Sequence, residues 1–521
     1  MKSNRSISLS KTNYLSQLSK DYLLGNDIGI SNPRVTQYSQ LIEKAHSKDF
    51  NTFQRKGLVD TLLRQYESDG IDLNEKSNVF QNIVSLNDIN TYTIATGQQI
   101  HLFLGPLFFL HKIHSLLGHV KNVNASASHV KTIPIFWMAT EDHDLEEINY
   151  VKLYSEKYKW DAIAGNAVGR LYCDGLPQLI DRLEQRADKT LENKTMFDLF
   201  RQHYSEGKAL SSATRGLLNA LFGDEGLIIL NPDDAYFKQQ FLKVAKQEIE
   251  GNVLFNTYNE ANKILKHHGY KPRVNAQEIN YFWLYNSERL KISDHDGFKL
   301  NDTPKTPWSI EQLNLNSGQL SPNVITRPLY QETILPNIAY IGGSAEIDYW
   351  LPLQSAFDRL GIQFPALLLR DSSIYLTNKN LDSIEKVGLE WEHLFLSEPD
   401  ISEIYNTKNN EDANKLKADL NTISQTLQSV SIAMKELNST ESLKIINDLQ
   451  KGAQKLSALL TQEDLVKQKA DLQIGKVYKI KERFFDTKQE REDFCLNYPQ
   501  LLHKAFSRGE KLEAELSLHI Q

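Results

Sequence analysis

Residues Ile133–Ala139 read IPIFWMA and run straight into Thr140-Glu141-Asp142-His143-Asp144. A run with no polar side chain predicts a strand buried on both faces, as in a parallel sheet, because a half-exposed strand would alternate. Pro134 lies near the start of the run, where a missing N–H is tolerated. Upstream, Tyr92–Ala95 is a short β-prone run that ends in Thr96-Gly97-Gln98-Gln99. Between the two, Gly105-Pro106 marks a helix start. Leu107, Leu110, His114 and Leu117 then put one apolar face on a helix that runs to about His119. Strand, helix and strand in that order form a β-α-β unit.

The same style recurs downstream. Gly226–Leu230 ends in Asn231-Pro232-Asp233-Asp234, Ile338–Ile341 in Gly342-Gly343-Ser344, and Ala366–Leu369 in Arg370-Asp371-Ser372. Apolar strands alternating with helices predict an α/β fold with an open, mostly parallel sheet. Residues 1–85 read as short helices capping this core, and about 235–325 as a less regular insertion. The core therefore spans 1–375. From 376 to 488 the chain turns rich in Lys, Glu, Asp, Gln, Asn and Leu. Leu416, Leu420, Ile423, Leu427, Val430, Met434 and Leu437 step 4, 3, 4, 3, 4, 3, which is an a/d seam. Asn438-Ser439-Thr440 reads as a turn, Leu449, Ala453, Leu456 and Leu460 as a second helix, and Thr461 with Asp464 as the start of a third. Phe494, Leu501 and Phe506 predict that 489–521 returns to the core.

Whole-chain totals narrow the function. The 521 residues carry a net charge of −7, which argues against bulk nucleic-acid binding. Cys173 and Cys495 are too few for a disulfide framework or a thiolate metal site, and a reducing cytoplasm fits them. The basic N-terminus has no apolar segment behind it, so it does not read as a signal peptide. No apolar run approaches the ~20 residues that span a bilayer.

In open α/β sheets ligands bind beyond the carboxyl ends of the strands. Four blocks lie there. Thr96-Gly97-Gln98-Gln99 offers a flexible backbone and two amides before a helix start, whose free N–H groups and Gly105 turn suit an anion. The same block also fits a plain strand-to-helix turn. Glu141, Asp142, His143 and Asp144, followed by Asn149, surround one imidazole with carboxylates. They could orient a general base, bind an amine or hold Mg²⁺. They equally fit a solvated acidic loop. Asn323, Arg327 and Glu332 sit in SPNVITRPLYQE, where the arginine could clamp a carboxylate or phosphate. Gly342, Gly343 and Glu346 form a second anion-suited helix start. His111 and His114 share a helix face, but no third ligand follows at helical spacing, so no metal site is predicted. No P-loop, GxSxG elbow or HExxH motif occurs.

Together TGQQ…GPL…HK, PIFWMATEDHDLEEIN and SPNVITRPLYQETILPNIAYIGGSAEIDYW resemble the cysteine ligase family of bacillithiol biosynthesis, over most of the chain. Two departures are His101, where many members have glycine, and Ser344, where many have proline. The resemblance implies a Rossmann-like core with insertions, a C-terminal coiled coil that makes a homodimer, and amide formation between cysteine and glucosaminyl-malate. That reaction implies an activated carboxylate, most simply through ATP. On this reading Asp142, His143 and Asp144 are catalytic, with His143 as a general base. Thr96, Gly97, Gln98, Gln99, Gly105, Glu141, Asn149, Asn323, Arg327, Glu332, Gly342, Gly343 and Glu346 bind substrate or nucleotide. A nucleotide-binding transferase, a metal-assisted hydrolase or a coiled-coil interaction protein without turnover are the competing readings.

Overall fold

The computed structural model describes residues 7, 12, 15–30, 34–126, 129–154, 156–162, 167–285, 288–293, 299–300, 310–372, 378–436, 440–460, 474–482 and 495–497. They fall into two compact units. The first holds the described residues of 15–372 and 495–497, and the second holds 7, 12 and those of 378–482.

In chain order the strands of the first unit are β1 (Thr91–Gln98), β2 (Lys131–Met138), β3 (Tyr150–Leu153), β4 (Glu156–Lys159), β5 (Ile228–Leu230), β6 (Tyr281–Tyr285), β7 (Glu288–Ser293), β8 (Lys299–Leu300), β9 (Leu320–Pro322), β10 (Asn337–Gly342) and β11 (Ala366–Leu369). The core sheet has the order β11-β10-β1-β2-β5, and every pairing is parallel. The chain starts at the centre, moves outward through β2 and β5, then returns to the other flank of β1. The switch point therefore lies between β1 and β10, which is where a parallel sheet opens a crevice. The run is buried from Ile133 to Met138, with Ile135, Phe136 and Met138 fully covered, as a two-sided burial requires.

β1 is longer than the sequence predicts. Thr96, Gly97 and Gln98 continue the strand, in register with Phe136, Trp137 and Met138. The Thr96 hydroxyl donates to the Ile341 carbonyl at 2.7 Å and latches β1 to β10. The helix that follows is Leu107–Ser126, and a turn at Leu102–Leu104 precedes it. In that turn Phe103, Leu104 and Gly105 have φ of 52°, 69° and 51°. Gly105 is demanded twice over, by its φ and because a Cβ there would lie 2.4 Å from the His101 Cβ. The turn is also held from far away, since the Cys495 N–H donates to the Gly105 carbonyl at 2.9 Å.

Helix Thr52–Ser68 docks below the sheet through Arg55, which is 1% exposed. Its guanidinium donates to the carbonyls of Phe50, Leu86, Asp88, Ile89 and Thr91, gathering the chain into β1. The 235–325 segment supplies helices Ala235–Gly251 and Val253–His267 and all four strands of a second, antiparallel sheet of order β8-β7-β6-β9. β3 and β4 form a hairpin.

The second unit contains two long helices, Glu398–Glu436 and Thr440–Leu460, packed on each other. The covered stripe differs from the predicted seam. Leu420, Ser424, Leu427, Ser431 and Met434 are partly covered, and Ile446 and Ala453 are buried. Ile423, Val430, Leu449 and Leu456 are 48%, 39%, 54% and 55% exposed. Two adjacent stripes of the first helix carry apolar residues, and the hairpin uses the one interleaved with serine. The side chains of Leu416, Leu437 and Leu460, the helix start at Thr461 and Asp464, and Phe494, Leu501 and Phe506 lie outside the described residues.

Candidate active site

At the carboxyl end of β1 the two glutamines divide their work. Gln98 holds a buried lysine. Lys112, on the first turns of the Leu107–Ser126 helix, donates to the Gly97 carbonyl at 2.7 Å and the Gln98 Oε1 at 2.8 Å, and pairs with the Glu346 Oε2 at 2.5 Å. The other end of Gln98 lies 3.3 Å from the His101 Nε2. Burial pushes His101 down to about 4, so this ring is neutral at ordinary pH. Glu346 also accepts the Tyr340 hydroxyl at 2.6 Å and the Gly343 N–H at 2.8 Å. Burial alone would raise its carboxyl, but Lys112 and these donors hold it below the ordinary carboxylate value. Burial pushes the Lys112 ammonium down, against the pull of Glu346. The helix start at Gly343-Ser344 is therefore closed by its own Glu346, and its first N–H is not free for an anion as the sequence suggested.

Gln99 holds Asp142. Its Nε2 donates to the Asp142 Oδ2 at 2.9 Å, while the His143 N–H donates to the Asp142 Oδ1 at 2.8 Å. Burial would raise Asp142, but bonds from His143 and Gln99 and the charge of Arg289 hold it well below the usual carboxylate range. Its carboxylate is thus an anion suited to an ammonium group and poorly suited to abstract a proton. The His143 side chain is half-exposed and tilted against the Phe282 ring at 5.6 Å between centroids. Asp144 is exposed at the start of the short helix Leu145–Ile148.

Glu141 turns the other way. It pairs with Lys238 at 2.8 Å, and Lys238 pairs with Asp233 at 2.8 Å. Arg170 grips Asp233 through two bonds of 2.6 and 2.9 Å. Lys238 is driven down by burial and more strongly up by its two carboxylates, so it stays charged. This knot ties the ends of β2 and β5 together beneath the Asp142 loop.

Arg327 sits at the switch point among aromatic rings. Its guanidinium carbon lies 5.1, 5.6 and 5.9 Å from the ring centres of Tyr340, Trp350 and Trp137. One nitrogen donates to the Gln331 Oε1 at 3.0 Å. The guanidinium also bonds the Tyr349 side chain, and its Nη2 is buried. Arg370, over the Phe108 ring at 5.6 Å, adds a second cation close enough to act on Lys112.

The remaining sequence candidates are placed as follows. Thr96 and Gly105 shape the backbone described above. Gly342 and Gly343 pass beneath Glu346, and a Cβ on Gly342 would lie 3.0 Å from the Glu346 Cβ. Asn149 is buried, and its carbonyl accepts the Trp160 N–H at 2.7 Å. Asn323 is spent on its own turn, accepting the Ile325 and Thr326 N–H groups at 3.0 and 3.1 Å. Glu332 does not join the others. It is buried beside Asn337, which opens β10, bonded to Asn337 and Gln331 and paired with Lys48 at 3.3 Å, at the amino end of the strand. The sequence reading passed over Lys112, Lys238, Arg289 and Arg370. For Lys112 a signal exists, a single cation inside the apolar stretch LFFLHKIHSLL. For Arg289 none does, because its partners are about 150 residues away and only the second sheet brings it to them.

Comparison with known proteins places the chain in a family. The family described as "Bacillithiol biosynthesis BshC, N-terminal Rossmann-like domain" matches residues 3–371. A Flavobacterium johnsoniae protein named "Putative cysteine ligase BshC" is 37% identical over 76% of this chain and 75% of its own length. Proteins of the same name from Flavobacterium psychrophilum and Cytophaga hutchinsonii are 38% and 29% identical, over 75% and 91% of this chain and 74% and 90% of their own. The parallel core sheet, the switch-point crevice and these matches agree: the chain belongs to the BshC family of bacillithiol biosynthesis.

Proposed function

We propose that this protein is a cysteine ligase that joins the carboxyl of cysteine to the amine of glucosaminyl-malate, the amide-forming step of bacillithiol synthesis. The observation that carries the reading is a buried guanidinium over the core sheet together with a carboxylate held ionised beyond the end of β2. The Arg327 guanidinium is buried among the Trp137, Tyr340 and Trp350 rings, and Asp142 is held ionised in the loop after β2. Such a site receives carboxylate or phosphate at one end and an ammonium or amine at the other.

A free carboxylate is a poor acyl acceptor at neutral pH, so an activating cosubstrate is required. We infer ATP. Arg327 and Arg370 would meet its phosphate charge, and the closed helix start at Gly343 leaves that task to these side chains. Lys112 and Glu346 neutralise each other and set the floor of the crevice. Gln99 orients Asp142 toward the amine. Glu141 works beneath the loop, and Glu332 supports β10 from the far end.

The exposed stripe of Ile423, Val430, Ile445, Leu449 and Leu456 supports a homodimer formed through the helical arm. No described helix is long and apolar enough to cross a membrane. The presence of only two cysteines, both buried, supports a reducing compartment, the cytoplasm.

Purified protein given cysteine and glucosaminyl-malate is expected to form the amide only with ATP present. Product formed without any nucleotide would remove ATP. No product under either condition, with normal bacillithiol in a deletion strain, would remove the ligase reading.

A further inference from the structure

Arg289 enters the site from outside the core sheet. It lies on β7, in the second sheet, and only 7% of its side chain is exposed. Each of its nitrogens is committed. Nε donates to the Ser321 Oγ at 3.1 Å and Nη2 to the Pro322 carbonyl at 2.8 Å. Nη1 lies 3.0 Å from the His143 Nδ1 and 3.5 Å from the Asp142 Oδ1. The guanidinium also rests on the Phe282 ring, 4.1 Å from its centre. One side-chain bond, one backbone bond and a ring thus aim Nη1 at the imidazole.

A guanidinium can only donate. The His143 Nδ1 must therefore be the acceptor, with its lone pair turned to Arg289. A neutral imidazole that accepts at one nitrogen carries its proton on the other. The Asp142 Oδ1 lies 3.6 Å from the His143 Nδ1, beyond hydrogen-bond reach, and already accepts the His143 backbone N–H. The carboxylate also acts on the His143 side chain, but from farther away than the Arg289 Nη1 at 3.0 Å.

We propose that Arg289 is a positioning residue, carried in by the 235–325 insertion, that fixes His143 as a hydrogen-bond donor through its Nε2–H. This rests on the ligase reading for its purpose but not for its geometry. In that reading the Nε2–H serves the oxygen on which negative charge gathers when the amine adds to the activated carboxyl. It does not serve as the base that the sequence suggested.

The test uses the full chain labelled with ¹⁵N-histidine, with His143 assigned by the signal lost in His143→Gln. Spectra are taken well above the ordinary imidazole range. Wild type is expected to show an unprotonated Nδ1 and a protonated Nε2. Arg289→Met is expected to shift the ring toward Nδ1–H and lower kcat about 10- to 100-fold, the range for lost support of an active-site histidine, with KM little changed. Arg289→Lys restores part of both. A protonated Nδ1 in the wild type overturns the proposal, and so does a kcat unchanged in a folded Arg289→Met. If Arg289→Met does not fold, the wild-type tautomer alone decides. A wild type that shows Nε2–H yet makes no amide sinks the ligase reading and leaves the Arg289–His143 assignment standing.

Discussion

Replacing Lys112 with methionine removes one cation from a buried knot. The ammonium is 4% exposed and serves the Gly97 carbonyl, the Gln98 Oε1 and the Glu346 Oε2 at 2.7, 2.8 and 2.5 Å. Without it Glu346 keeps the Gly343 N–H and the Tyr340 hydroxyl but loses its direct ion pair, with Arg327 left as a more distant cation. Breaking one side of a buried pair costs about 3–5 kcal/mol, because an unpaired charge is left behind. Removing both charges in Lys112→Met/Glu346→Gln leaves mainly neutral bonds to lose, at about 1 kcal/mol each. The double variant is therefore expected to be more stable than Lys112→Met, with a favourable coupling on the order of 2 kcal/mol. Urea unfolding at neutral pH, followed by tryptophan fluorescence, measures each corner of the cycle. The sign of the pH effect follows from Glu346. Its folded carboxyl lies below its ordinary value of 4.5, so its stabilisation is present above that value and lost as pH falls through the folded one. The Lys112→Met penalty must then shrink in acid, as Glu346 takes up a proton. A Lys112→Met variant within about 1 kcal/mol of wild type, or a double variant at the sum of the singles, would refute the reasoning.

Three other outcomes follow from the same structure. Glu248 is fully buried, and burial pushes its carboxyl up from 4.5 to about 7. A raised acid is most comfortable below 4.5 and loses about 3 kcal/mol of stability as pH rises to 7. Glu248→Gln should flatten that dependence and stabilise the protein at neutral pH, measured by unfolding across that interval. Arg327→Met should lower kcat/KM roughly 10- to 100-fold, the worth of a lost charged hydrogen bond, and a ligase assay with an unchanged value would take Arg327 out of substrate binding. Leu449→Asp with Ile423→Asp should convert the proposed dimer to monomer by light scattering while the helical signal persists. A dimer that survives would move the interface elsewhere.

The core sheet was legible because IPIFWMA has no polar side chain, and only a two-sided strand explains that. The polar end of β1 was not. Thr96 satisfies its hydroxyl on Ile341, 245 residues away, and nothing local signals such a partner. The glutamines were recognised as a site, but their division between Lys112 and Asp142 depends on which face each takes at the strand end. Glu332 looked equal to Arg327 five residues earlier. One turn and a half of helix carries it toward the opposite end of β10. Glu141 and Asp142 are neighbours facing opposite ways, into the Lys238 knot and toward Gln99. In the arm, heptad arithmetic located the helices but chose Ile423 and Val430 where the fold uses Ser424 and Ser431, since apolar count cannot tell which of two adjacent stripes meets the hairpin partner.

The turn after β1 has a consequence for the order in which this protein matures. Its Gly105 carbonyl is bonded by the Cys495 N–H, and most of the second unit, including its two long helices, lies between β11 and that residue in the chain. A ribosome delivers β1, β2 and every strand of the core sheet long before Cys495 emerges. The left-handed turn that carries Gln98 toward Lys112 receives its last hydrogen bond only after the arm has been made. Completion of the crevice is thus tied to synthesis of the segment that carries Cys495. A nascent chain that already has its sheet still lacks the clasp on its central turn.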